Sequence, residues 1–494
     1  MKKIIIVGGG SAGWMTASTL IKQFPMWDIT LIESPNIPTV GVGESTLGSI
    51  NQWLQFLGIK DKDFMPACDA TYKTSIKFTD FYKKGEHFHY PFGQPDLQGT
   101  RNGLNDWWLK KFFYENSPYS DYAETYYPLG YLAENNKILK SNELMNFNFE
   151  NDVAYQFDAT KFGIWLRDNY ALPRGVKHIK EEITDIQVNQ EGIISVNNYT
   201  ADLYFDCTGF KSLLMEKLEV PFNSYEEMLV NNSAWATHLP YTNIKEELTS
   251  YTNCTAIENG WVWNIPLTSR MGTGYVYSDK FVDDETALNE FKKYLGRDDL
   301  NFKKIKFTPG IRDRIWEKNV ISIGLSAGFI EPLESNGLMT VHEFLLYFMR
   351  NTQRETITQW DKDNFNSMCK SFFDNFAQFV AFHFAITSRT DTSYWKYCTN
   401  KKWNIAENAK MQRTENYYFS ENSGYHCIAA GGHWGPTEAC TLNYFNSKKD
   451  NELLEDWKPF FNNLEKRIDS WKTIAKNLDS PYDFLNKEIY NGKI

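Results

Sequence analysis

The segment from Met1 to Glu33 carries the most explicit chemistry in this chain. Gly8-Gly9-Gly10-Ser11-Ala12-Gly13 sets three glycines in a Gly-x-Gly-x-x-Gly array, the spacing that lets a backbone turn sharply and lie against a pyrophosphate. Gly8 would permit the tight turn, Gly10 the approach of the backbone to the phosphates, and Gly13 the close packing of helix on strand. Ser11 and Ala12 would open the helix whose N-terminal N–H groups and partial positive charge receive those phosphates. Glu33 comes at the end of the next apolar run, where a carboxylate accepts hydrogen bonds from ribose hydroxyls and repels a 2′-phosphate.

Lys73 and Lys77, in Tyr72-Lys73-Thr74-Ser75-Ile76-Lys77-Phe78, are candidates of another kind. The alternation suits a strand, which would turn both amines to one face. A lysine sunk in an apolar site has its charged form disfavoured and its amine made nucleophilic, whereas most strand lysines are simply solvated. Glu331 and Glu334 lie in Glu331-Pro332-Leu333-Glu334-Ser335-Asn336-Gly337, which reads as a helix start, where the macrodipole alone favours carboxylates.

These side chains need elements to hold them. Ile4-Ile5-Ile6-Val7 is a continuous apolar run of the kind found in buried parallel strands. A helix pattern follows from Trp14 to Phe24, and a second strand, Ile29 to Ile32, delivers Glu33. That β-α-β context raises a bare glycine pattern to a dinucleotide fingerprint. Tyr204 to Phe210 and Ile321 to Phe329 read as further strand-turn segments, while no second Gly-x-Gly-x-x-Gly unit supplies a nicotinamide site. Beyond about residue 346 the pattern is mostly helical and rich in aromatic residues.

Bulk properties narrow the class. A chain of 494 residues buries a large core unaided. Its net charge of −10 argues against nucleic acid or an anionic membrane as the main partner. Seven scattered cysteines without a Cys-x-x-Cys pair fit reduced thiols and give no zinc site, so no metal is expected. The first apolar run leads into glycines rather than a cleavage site. The apolar stretch Phe372 to Ile386 is interrupted by Asp374, Asn375, Gln378 and His383, as in a buried helix rather than a membrane span. A cytoplasmic protein is the expectation.

Gly260-Trp261-Val262-Trp263-Asn264-Ile265-Pro266 is by itself an aromatic strand closed by proline. Together with the N-terminal glycines it resembles the Trp-x-Trp-x-Ile-Pro and Gly-x-Gly-x-x-Gly motifs of the flavin-dependent tryptophan halogenases. The resemblance runs through most of residues 1–345 and thins in the last third. It implies an α/β fold: a Rossmann-like FAD-binding core of the glutathione-reductase type, with a mixed substrate-side sheet and a largely helical C-terminal module. Residues 1–345 would form the core with its interleaved substrate-side segments, and 346–494 the module covering the substrate.

The activity implied is that of a halogenase. FADH2 from a separate flavin reductase, with O2 and halide, would generate hypohalous acid that halogenates an electron-rich aromatic ring of indole or phenol type. Lys73 matches the family's catalytic lysine, which hydrogen-bonds hypohalous acid or captures it as a haloamine. Glu334 matches a carboxylate that polarises that acid or takes the proton from the ring intermediate. Backbone N–H groups at Ser335, Asn336 and Gly337 would hold the halide, Asn336 replacing an expected threonine. Gly43, Glu44 and Ser45, within Gly41 to Thr46, resemble a flavin-contacting loop. Leu325 follows Gly324 where a flavin hydroxylase would show Gly-Asp.

Trp261 and Trp263 would keep substrate from the flavin. Tyr90 stands where the family's His-Pro-Phe segment has histidine, and Phe92 is retained; Tyr418 and Trp434 would complete an aromatic slot. A flavin-dependent aromatic monooxygenase shares the fold and the glycines but does not predict Lys73, Glu334 and the tryptophan pair together. A flavin-binding sensor without activity is the other alternative. The oligomeric state stays open, a homodimer or higher assembly included.

Overall fold

The structure, a computed structural model, describes residues 2–37, 43–101, 103, 106–107, 110, 121–140, 147–354, 356–403, 427–428, 431 and 451–494. They form two compact units, each assembled from three stretches of chain. The first takes Met1–Thr71, Tyr155–Thr237 and Phe302–Ala377; the second takes Tyr72–Ala154, His238–Asn301 and Gln378–Ile494.

In the first unit, β1 (Lys3–Val7) lies inside a six-stranded sheet. The strand order is Trp316–Glu317, Val320–Ser322, Leu203–Asp206, β1, β2 (Asp28–Glu33), Lys177–Lys180. All neighbours run parallel except the edge pair Trp316–Glu317 with Val320–Ser322. Burial on both faces explains the unbroken apolar run: Ile4 to Val7 are essentially inaccessible. Helix α1 (Ser11–Gln23) connects β1 to β2 and buries Trp14, Met15, Ala17 and Leu20. It stops at Phe24, whose ring stacks on Trp27 at 3.8 Å. The expected β-α-β unit is therefore present, with Glu33 at the end of β2.

Asp206 holds the turn after its strand. Its buried carboxylate accepts hydrogen bonds from the Thr208 amide and hydroxyl and from the Leu214 and Met215 amides. Burial raises this carboxyl on balance, and the four donors oppose that effect in part. A short strand β3 (Gly43–Ser45) pairs antiparallel with the strand Ala154–Asp158, Glu44 facing Phe157. Within β4 (Thr71–Lys73) the chain passes from the first unit to the second.

The second unit is built on a mixed sheet in the order Met271–Tyr277, Gly260–Pro266, Tyr251–Ile257, β5 (Ser75–Thr79), β6 (His87–Pro91). Of these pairs, β5 with Tyr251–Ile257 is parallel and the others are antiparallel. Gly260 opens its strand because a Cβ there would stand 1.9 Å from the Val276 carbonyl oxygen. Arg389, 4% exposed, donates to the carbonyls of Asp80, Ala256 and Ile257 and pairs with Asp391, so a buried cation ties two strand ends together. The helical pattern expected beyond residue 346 is present in Gln359–Ala385, Ser393–Asn400, Asn451–Ala475 and Pro481–Glu488. Among the described residues, no helix is long and apolar enough to cross a membrane.

Candidate functional site

The glycine loop sits at the carboxyl ends of β1 and β2, where ligands of open α/β sheets bind. Gly8 has φ +112°, and a Cβ there would stand 2.2 Å from the Cys207 carbonyl oxygen. At Gly13 a Cβ would meet the Gly8 carbonyl oxygen at 1.9 Å, which is the close helix-strand packing the spacing demands. Gly10 is the N-cap of α1 and supplies no side chain to the first amides, and the first turn contains no acid. Ser11 is turned away, its Oγ donating to the Ala159 carbonyl at 2.7 Å. The helix start therefore presents backbone N–H groups and positive partial charge.

Glu33 comes back over this loop, since a Cβ on Gly9 would stand 1.6 Å from its Oε2. Its Oε1 lies 2.9 Å from His178 Nε2, and the His178 ring meets Trp14 edge-on at 5.1 Å. His178 was not singled out in the sequence, because its strand becomes a neighbour of β2 only through long-range pairing. The turn Gly324–Ser326 closes the group: Gly324 has φ +76°, and a Cβ there would stand 2.9 Å from Ala12 Cβ. Gly8, Gly10, Ser11, Ala12, Gly13, Glu33 and the Leu325 turn are thus brought together. The cradle has glycines where side chains would collide, an uncapped helix start and an inward carboxylate. It fits a dinucleotide such as FAD.

A second group in the same unit surrounds the start of helix Gly337–Asn351. Ser335 is left-handed at φ +60° and its Oγ donates to Ser45 Oγ at 3.1 Å. Asn336 caps the helix and donates through Nδ2 to the Ile330 carbonyl at 3.1 Å. Glu44 reaches the same place, its Oε2 3.1 Å from where a Gly337 Cβ would stand. Burial pushes the Glu44 carboxyl up to about 8, so it is mostly protonated at neutral pH. Glu334 is fully buried, and the competing Glu331 accepts from Asn231 Nδ2 at 2.8 Å. Within the helix, His342 is buried and held neutral, its imidazole lowered to about 3 by burial.

The second unit holds the other candidates. Lys73 is 0% exposed, so the solvated-lysine reading fails. Its Nζ lies 5.1 Å from the centre of the Phe92 ring, a cation–π distance. Tyr90 meets Phe92 edge-on at 6.2 Å and Phe379 at 6.2 Å. The structure thus groups Lys73, Tyr90 and Phe92. Lys77 belongs elsewhere, in an ion pair of 2.8 Å with Glu134. Trp261 and Trp263 are buried on one face of their strand with ring centres 6.1 Å apart.

Lys73 lies in the second unit and Glu334 in the first. Gly41, Val42, Tyr418 and Trp434 fall outside the described residues. Sequence reading passed over Glu134, a helix-end glutamate with no motif around it, and His342, one polar residue in an apolar helix.

Comparison with known proteins places this geometry. The tryptophan halogenase family profile matches residues 3–442. The tryptophan 6-halogenase SttH of Streptomyces toxytricini is 33% identical over 447 residues, covering 84% of this chain and 83% of that protein. Among solved structures, the apo form of VirX1 superposes with a TM-score of 0.92 at 39% identity, covering 99% of both chains. Tar14, a tryptophan C-6 flavin-dependent halogenase (chlorinase) from taromycin biosynthesis, superposes with a TM-score of 0.84 at 29% identity over 98% of this chain and 99% of that one. With a dinucleotide cradle, a buried lysine and the tryptophan pair all in place, the chain belongs to the tryptophan halogenase family and is a flavin-dependent halogenase.

Proposed function

We propose that this enzyme uses O2 and a halide to form hypohalous acid and transfers the halogen to an electron-rich ring of indole or phenol type, tryptophan-like substrates included. The observation that carries the reading is the wholly buried Lys73 amine beside Phe92. Burying a lysine in an aromatic interior costs its amine much of its hydration. An amine that meets hypohalous acid beside a flat substrate needs that sheltered, ring-lined setting.

Gly8, Gly10, Ser11, Ala12 and Gly13 would hold the FAD pyrophosphate, Glu33 the ribose, and Gly43, Glu44, Ser45 and Leu325 would line the flavin. Reduced FAD, delivered by a separate reductase, supplies the two electrons that let O2 oxidise halide. The backbone at Ser335, Asn336 and Gly337 would hold the halide, since amide donors at a helix start bind anions without competing acceptors. Lys73 then hydrogen-bonds or captures the hypohalous acid and orients it. Glu334 takes the proton released when the ring regains aromaticity. Tyr90 and Phe92, with Tyr418 and Trp434, would form the slot for the ring, and Trp261 and Trp263 keep substrate away from the flavin.

Residues 1–345 would supply the cofactor and chemistry, and 346–494 the cover over the substrate. SttH and Tar14 are tryptophan halogenases, which favours this reading over an aromatic hydroxylase. The test is incubation with FAD, a flavin reductase, NADH and a panel of indoles and phenols, with chloride, bromide, iodide or no halide. Halogenated products that vanish without halide are expected. Oxygenated products formed equally well without halide would overturn the reading.

A further inference from the structure

A cluster of polar groups in the second unit has no part in the chemistry above, yet it borders Lys73. On β5 and β6 the register pairs Ser75 with Pro91, Lys77 with His89 and Thr79 with His87, so these side chains share one face. Helix Pro128–Glu134 brings a single carboxylate to that face. Glu134 takes Lys77 Nζ at 2.8 Å and His89 Nε2 at 2.7 Å on Oε2, and His87 Nε2 at 3.2 Å on Oε1. His89 continues inward, its Nδ1 2.9 Å from Ser75 Oγ. The chain of contacts Ser75–His89–Glu134 has the connectivity of a nucleophilic triad. Ser75 is 0% exposed, so no ester or peptide can reach it, and the chain serves another purpose.

Its position supplies that purpose. Ser75 with Pro91 is the last rung of the β5–β6 ladder before the site, and the Phe92 amide donates to the Thr74 carbonyl at 2.9 Å just beyond it. Phe92 follows Pro91 directly and Lys73 precedes Thr74, so amine and ring meet one step beyond this rung. We propose that Ser75–His89–Glu134 is a positioning relay that locks the β5–β6 register and so holds the Lys73 amine over Phe92, with His89 as its central positioning residue. This inference rests on the role given to Lys73 above.

The protonation pattern follows from the geometry. Glu134 is ringed by three donors; burial works to raise its carboxyl, but the bonds from His87, His89 and Lys77 outweigh that and hold it well below the usual carboxylate range. It therefore only accepts, and His89 must carry its proton on Nε2. Burial lowers the His89 imidazole despite Glu134, which leaves the ring neutral and Nδ1 bare. Among the described residues the donor facing Nδ1 is Ser75, and at 2.9 Å that nitrogen takes the hydroxyl proton in preference to the Tyr90 and Ile76 carbonyls, 3.1 and 3.3 Å away. One serine hydroxyl, one tautomer and one carboxylate thus fix the strand pair from solvent inward.

Two measurements on the FAD-loaded enzyme test this. The first is 15N NMR of the protein labelled at its eight histidines, with His89→Gln to assign the signal. A neutral Nε2–H tautomer from pH 6 to 8 is expected; an imidazolium or Nδ1–H form overturns the relay. The second is the fraction of flavin oxidations that yield halogenated product, with escaping hypohalous acid caught by a chemical trap. Ser75→Ala should lower that fraction at least 5-fold while its melting temperature, FAD affinity and substrate KM stay near wild type. Ser75→Thr, which restores the hydroxyl, should recover it. Coupling in folded Ser75→Ala equal to wild type overturns the proposal. If wild-type enzyme makes no halogenated product at all, the function assigned to Lys73 fails, and the NMR result still decides whether the relay exists.

Discussion

Replacing Glu44 by glutamine gives a quantitative test of the buried carboxyl beside Gly337. In the folded protein this group titrates near 8 against an ordinary value of 4.5. Between those values the folded state binds a proton that the unfolded chain has lost, so the group's contribution to stability falls as pH rises. Keeping the proton costs about 0.8 kcal/mol at pH 5 and about 3.3 kcal/mol at pH 7, at 1.36 kcal/mol per unit. Glutamine has a similar shape and no proton to hold. Relative to wild type, Glu44→Gln should therefore gain about 2.5 kcal/mol between pH 5 and pH 7. The assay is denaturant unfolding of FAD-free wild type and variant at both pH values. Comparing the two proteins cancels the opposite trend of buried neutral histidines. A stability difference between them that is the same at both pH values would refute the protonated Glu44.

His342, neutral and lowered to about 3 by burial, works in the other direction. Stability should fall by about 1.5 kcal/mol from pH 6.5 to pH 5 through this residue, and His342→Gln should remove that slope in the same unfolding series. Glu33→Ala should weaken FAD binding about 10- to 100-fold, the worth of hydrogen bonds to a charged group, read by fluorescence titration; unchanged affinity would show that Glu33 does not face the ribose. Trp261→Ala removes a fully buried indole and should cost about 3 to 5 kcal/mol of stability, seen as a lowered denaturation midpoint.

How much of this was legible depended on distance along the chain. The cofactor cradle was readable because strand, glycine loop, helix and acidic strand end follow one another without interruption from Lys3 to Glu33. Their periodicities change where the structure changes, from an apolar run to a helical stripe and back. His178 was not readable, since it meets Glu33 only after its strand crosses to the edge of the sheet. Lys73 was found through a family resemblance; its burial and its contact with Phe92 depend on β5 and β6 pairing across a turn.

The Glu134 cluster illustrates the limit more sharply. Lys77, His87 and His89 alternate as on any half-exposed strand, and only the packing of helix Pro128–Glu134 supplies their common partner. The replacement of histidine by Tyr90 was visible, but its neighbours Phe92 and Phe379 were not, the second lying far along the chain in another element. Sequence pattern specifies local periods well. It does not specify which distant element will complete a charge pair.

The most direct test of the central claim follows flavin oxidation, hypohalous acid release and halogenated product together in wild type and Lys73→Ala. We expect the variant to oxidise reduced flavin in a halide-dependent way, to release hypohalous acid into the trap, and to lose at least about 100-fold in halogenated product. A variant that halogenates its substrate within about tenfold of wild type would contradict the role of the buried amine.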